Sequence, residues 1–121
     1  MAKLLIVDSD SEVSAAVRDM MRLKGHEVAV ARTAAEALAV LAQQRADVIF
    51  TNIDPVDQHG RAFAAAARAL QPLAALVTTK ASAAQGGVPD GFDMALPKPF
   101  SLDEVEAVIA LLQAKHTWRH G

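Results

Sequence analysis

Short apolar runs alternate along the whole chain with stretches in which apolar positions recur every three or four residues. This alternation predicts strands each followed by a helix, and so a parallel sheet covered by helices. Five strands are predicted: KLLIVD at 3–8, HEVAVA at 26–31, ADVIFT at 46–51, LAALVT at 73–78 and FDMALP at 92–97. LLIV and VIF are unbroken apolar runs, as strands buried on both faces require.

Four helices are well specified. The first places Val13, Ala16, Val17, Met20 and Met21 on one face and stops at Gly25, with Ser9 and Glu12 spaced as a capping box. Thr33 and Glu36 repeat that device ahead of Ala37, Leu38 and Leu41. A third helix carries Phe63, Ala66, Ala67 and Leu70 and ends before Pro72. The last opens on Ser101 and Glu104, buries Leu102, Val105, Val108, Ile109 and Leu112, and is expected to end near there. Between the fourth and fifth strands only a short helix, about 81–85, fits before the glycine pair, since each glycine costs roughly 1 kcal/mol of helix relative to alanine. The domain is therefore expected to span 1–115, with 116–121 a tail or the start of a linker.

Composition narrows the picture further. A chain of 121 residues is the size of one domain with one core. Apolar residues make up 52% but aromatics only 4%, so Ala, Val, Leu and Ile must fill that core. Fourteen acids against twelve bases give a net charge of −2, with no electrostatic footprint for nucleic acid or an anionic membrane. Without cysteine there is no thiol nucleophile and no thiolate metal site. No apolar stretch approaches the ~20 residues of a membrane span, and the amino terminus is too short in apolar residues for a signal peptide. The expected setting is cytoplasmic.

In an open parallel α/β sheet the binding crevice lies beyond the carboxyl ends of the strands. Asp8, Ser9 and Asp10 follow the first strand, Asn52 and Asp54 the third, Thr78 and Thr79 the fourth, and Lys98 and Pro99 the fifth. Acids, a hydroxyl and a lysine converging there would suit phosphoryl transfer assisted by Mg²⁺.

On LLIVDSD, ADVIFTNI followed by HG, LVTT and LPKPFSLDE, the chain resembles the receiver domains of two-component response regulators over nearly its whole length. The resemblance implies a three-layer, doubly wound, flavodoxin-like fold with strand order 2-1-3-4-5. It also implies an aspartate phosphorylated by a histidine kinase and a cis Lys-Pro bond. Asp8 matches the first of the family's two acids, Thr78 its switch hydroxyl and Lys98 its lysine. Three positions depart from the pattern. Asn52 stands at the phospho-acceptor position, with Asp47 upstream and Gly60 downstream as the family has them. Ser9 replaces the second acid, a direct metal ligand in the family, and Ala95 stands at the aromatic switch position. The loop proline, Pro55, falls one position early, and the interval from Thr78 to Lys98 is slightly short.

Of the three acid positions that would hold a divalent cation, only Asp8 remains charged. At an effective dielectric near 20, a unit charge pair at about 4 Å is worth roughly 4 kcal/mol before desolvation. Losing two partners should weaken Mg²⁺ binding by several kcal/mol, so no cofactor is expected and Asp8 is a remnant. Asn52 has no nucleophilic oxygen for an acyl phosphate. Its amide is instead expected to bridge a Lys98–Asp8 pair, donating to one and accepting from the other.

The reading is a pseudo-receiver with no enzymatic activity, an interaction module that works without phosphorylation. Its partner would be a protein: a histidine kinase, another receiver, or itself as a homodimer. Two alternatives stay open. One is phosphorylation at Asp54, Asp57 or Thr51, although the two acids also read as loop caps. The other is a small-ligand domain of the flavodoxin type, disfavoured because the loop after the first strand is DSD and no tyrosine is available to flank a ring.

Overall fold

The computed structural model describes residues 2–80, 87–98 and 100–120, with side chains in the last helix described through Ala114. Five parallel strands, β1 (Lys3–Val7), β2 (Glu27–Ala31), β3 (Val48–Thr51), β4 (Ala75–Thr78) and β5 (Met94–Ala95), form one sheet in the order β2-β1-β3-β4-β5. The helices are α1 (Ser11–Leu23), α2 (Ala34–Gln43), α3 (Gln58–Leu70) and α4 (Leu102–His120). The short helix expected near 81–85 and the Lys98–Pro99 bond lie outside the described residues.

Strand periodicity divides the core in two. Leu4 and Ile6 of β1, Val48 and Phe50 of β3, and Ala75 and Val77 of β4 point to the face covered by α1 and α4, where they meet Met21, Val105 and Ile109. Leu5, Val7, Ile49 and Leu76 point the other way, onto Ala37 and Leu41 of α2 and Phe63, Ala64 and Ala67 of α3. Alanines on both packed helices let them approach the sheet closely, which explains a core with few aromatics.

The ends of the elements differ from expectation in instructive ways. The N-cap of α1 is Asp10, whose carboxylate accepts from Glu12 N and Val13 N, while Ser9 is exposed one residue earlier. The cause is Asp8: its Oδ1 accepts from Asp10 N at 2.9 Å and pins the loop so that the helix starts at Ser11. Ala16 and Met20 consequently lie on the exposed side of α1, and Ser14 is buried instead. Leu70 on α3 is likewise exposed. At α2 the Thr33 hydroxyl accepts from Glu36 N, but the Glu36 carboxylate reaches back to Arg32 N rather than to Thr33. Only Ser101 and Glu104 form the fully reciprocal box. Strand β5 is shorter than its apolar run because the Asp93 carboxylate, rather than the backbone, receives the Leu76 N–H. Helix α4 continues through His120, past the expected tail boundary, since no Gly or Pro interrupts the chain before Gly121.

Two contacts fix the outer helices. Gln71 donates to the Leu41 and Gln44 carbonyls, closing the otherwise open C-terminus of α2. His26 accepts from Ala2 N through Nδ1 and meets Glu106 through Nε2 at 3.1 Å, tying α4 to the start of the sheet.

Candidate functional site

Strand order places a topological switch between β1 and β3, and the residues just past their carboxyl ends open onto a crevice. Register decides what lines it. Val7 pairs with Thr51, and Thr51 with Thr78, so the next residues, Asp8, Asn52 and Thr79, form one row across three strands. Backbone bonds continue that row: Asn52 N donates to Val7 O and Thr79 N to Thr51 O.

Asp8 is buried at 6% exposure, and both its oxygens are committed. Oδ2 receives Lys98 Nζ at 2.5 Å and Oδ1 receives Asp10 N. Lys98 reaches it from the segment after β5, its side chain 27% exposed. The expected ion pair is thus present, but Asn52 does not bridge it. The Asn52 amide oxygen instead accepts from the Thr79 hydroxyl at 3.4 Å, a long contact, and its nitrogen has no protein partner among the described residues.

Thr78, expected as the hydroxyl of the site, is fully buried, and its Oγ1 accepts from Lys80 N. The hydroxyl beside Asn52 belongs to Thr79, one residue on. Alternation along β4 requires this, because residue 79, not 78, shares the row with 52. Thr51 is also fully buried and caps Ile53 N. Ala95 sits half-buried in β5 opposite Thr78.

The loop after Asn52 is held by its own acids. Asp54 Oδ1 accepts from Val56 N, and Asp57 caps α3 by accepting from Gly60 N at 2.8 Å. Gly60 permits the fold-back: a Cβ there would lie 1.7 Å from the Asp54 carbonyl oxygen. This close approach is why HG, with no larger residue after the histidine, closes the motif.

A cavity of about 110 Å³ opens on the β2 side of Asn52, lined by Val7, Asp8, Ser9, Arg32, Asn52 and Ile53. Arg32 was not among the residues expected here. Topology could have found it, because β2 lies beside β1 and the residue following its last strand position, Ala31, must emerge at the same crevice.

This donor set does not suit a hard divalent cation, which needs several anionic or carbonyl oxygens free to converge. The one carboxylate in the row is neutralised by Lys98 and hydrogen-bonded at its other oxygen, Asp10 has turned away to cap α1, and positions 9 and 52 carry no charge. Among the described residues no three His, Cys, Asp or Glu side chains gather.

With this geometry in view, comparison with known proteins is direct. The sequence model of the response regulator receiver domain matches residues 4–110. The transcriptional regulatory protein PrrA of Mycobacterium tuberculosis, like that of Mycobacterium bovis, is 36% identical over 118 residues, covering 93% of this chain and 51% of that protein. The chain thus spans about half the length of these curated relatives. A CheY-like receiver domain protein from Methanospirillum hungatei superposes with a TM-score of 0.76 at 25% identity, covering 97% of this chain and 98% of that one. The response regulator TrrA of Thermotoga maritima, solved in complex with Mg²⁺ and BeF, shares the fold at a TM-score of 0.75 and 20% identity, covering 93% of this chain and 99% of that one.

Proposed function

Because the chain belongs to the response regulator receiver domain family, we propose that it acts in two-component signalling as a pseudo-receiver, a protein-interaction module that works without acyl-phosphate chemistry. One observation carries this reading: the row that faces the crevice has a neutral amide at its centre, Asn52, and its single carboxylate, Asp8, is held by Lys98. An amide offers neither the charge that helps hold a cation nor an oxygen nucleophile for a phosphoryl group. The Lys98–Asp8 pair completes itself within the chain, so the crevice holds its shape without a ligand.

On this reading the domain is not an enzyme, binds no Mg²⁺ at millimolar concentration, and works by contact with a protein, whether a histidine kinase, another receiver or a second copy. With Ala95 at the place of the aromatic switch, no aromatic side chain stands at that position of β5 to couple the crevice to the α4 face. Regulation then comes from binding rather than from a phosphate-driven rotamer. Control of transcription, the activity in the name of the longer mycobacterial relatives, is not assigned to this domain, whose net charge of −2 favours no DNA contact.

Asp54, Asp57 and Thr51 remain as alternative acceptors, but each already accepts a backbone N–H. Incubation with acetyl phosphate and Mg²⁺ followed by intact-mass analysis tests the proposal. The expected spectrum shows the unmodified mass alone. An adduct of one phosphoryl group would overturn it.

A further inference from the structure

The cavity beside Asn52 is bounded by the three positions, 8, 9 and 52, that the family resemblance gives to the cation, and Arg32 also lines it. Arg32 lies just past the end of β2. Its backbone N–H donates to Glu36, yet among the described residues its guanidinium has neither an ion pair nor a hydrogen-bond partner. Four other arginines are engaged, Arg18 with Asp19, Arg22 with the Val28 carbonyl, Arg45 with Asp47 and Arg68 with Asp93, whereas Arg61, which like Arg32 has no side-chain partner among the described residues, lies on α3 and does not line this cavity.

Around this cavity the free groups are donors. Ser9 is exposed, its hydroxyl free now that Asp10 caps α1. The Asn52 amide nitrogen is unpaired and, since no buried side-chain polar atom lacks a partner among the described residues, reaches solvent. Asp8 adds a carboxylate to the wall, but both its oxygens are occupied and Lys98 balances its charge. One cation is therefore left over. A cavity of about 110 Å³ far exceeds the roughly 10–15 Å³ that admits one water, and so has room for a small anion.

Resting on the non-covalent reading above, we infer that this cavity is a reversible binding site for a small oxyanion, phosphate or carboxylate in type, held by the Arg32 guanidinium with Ser9 Oγ and Asn52 Nδ2 as further donors. A guanidinium presents two parallel N–H groups matched to a pair of oxygens on such an ion. The same replacements that weaken the site for Mg²⁺, acids to Ser9 and Asn52, remove the repulsion that would exclude an anion.

The test is a titration of the isotopically labelled chain with inorganic phosphate and, separately, sodium acetate, at constant ionic strength set with chloride, following the backbone amides of Ser9, Asn52 and Ile53 and the Arg32 side-chain Nε. Saturable shifts confined to these groups are expected, and the probe that saturates at lower concentration identifies the type. Arg32→Gln, at an exposed side chain, should keep the spectrum of a folded protein and weaken binding roughly tenfold or more, the loss of one charge-assisted bond. No saturable shift with either probe, or an unchanged affinity in Arg32→Gln, would overturn the inference. Such a failure leaves the proposed function standing, because that reading falls to a covalent mass adduct or to saturable Mg²⁺ uptake, neither of which this titration reads.

Discussion

At the scale of single residues, the pair formed by Asp8 and Lys98 organises the crevice. Asp8 is almost entirely buried, so removing either partner leaves a charge in a poorly solvated place. Asp8→Ala should destabilise the fold by about 2 kcal/mol, less than a fully buried pair would lose because Lys98 is 27% exposed and can turn towards water. Lys98→Met should cost more, since the stranded carboxylate is the buried member. Urea denaturation of both variants checks the order, and an Asp8→Ala protein that melts like the parent would show that the pair contributes nothing. The pair itself was legible in the sequence, where strand-end positions named both residues. Its geometry was not. Asn52 was expected between the two charges, but its oxygen faces Thr79, because pairing of Thr51 with Thr78 fixes the partner of residue 52 one position further along β4. Strand parity set from a neighbouring strand cannot be read from one segment alone.

At the scale of elements, the lesson lies in the helix starts. Ser9 and Glu12 have the spacing of a capping box, and so do Thr33 with Glu36 and Ser101 with Glu104, but only the last closes reciprocally. A local motif cannot reveal that the carboxylate of Asp8 will hold Asp10 N and hand the cap to Asp10. The difference is measurable: Asp10→Ala should cost about 1 kcal/mol of stability, the usual worth of an N-cap, whereas Ser9→Ala should stay within about 0.5 kcal/mol of the parent. Equal effects from the two would contradict the cap assignment. Gly60 gives a sharper test. Its missing Cβ admits the Asp54 carbonyl, which sets the entry of the loop into α3. Gly60→Ala must move backbone, and a loss on the order of 3 kcal/mol is expected in chemical denaturation. Long apolar runs and helical periodicity located every strand and the four main helices. The exact ends followed from side chains such as Asp93 and Asp8 that take a backbone partner, which periodicity does not record.

At the scale of the whole molecule, an intact receiver fold surrounds a crevice whose positions 9 and 52 are the uncharged Ser9 and Asn52. Five parallel strands in the order 2-1-3-4-5, both core layers and the position of the crevice are all in place. Fold and chemistry are separable because the core depends on some two dozen apolar side chains on the two sheet faces, whereas the chemistry depends on the charge of a few groups at one edge. Ser9→Asp combined with Asn52→Asp, which adds two negative charges without touching that core, should raise Mg²⁺ affinity roughly 100-fold or more. It should also permit weak labelling by acetyl phosphate, with no change at the α4 face because Ala95 remains. The most direct measurement is a calorimetric titration of the unaltered chain with MgCl₂ through the millimolar range, run beside that double variant. Heat of dilution alone from the unaltered chain, with saturable uptake by the variant, is the expected result, and saturable millimolar uptake by the unaltered chain would contradict the account.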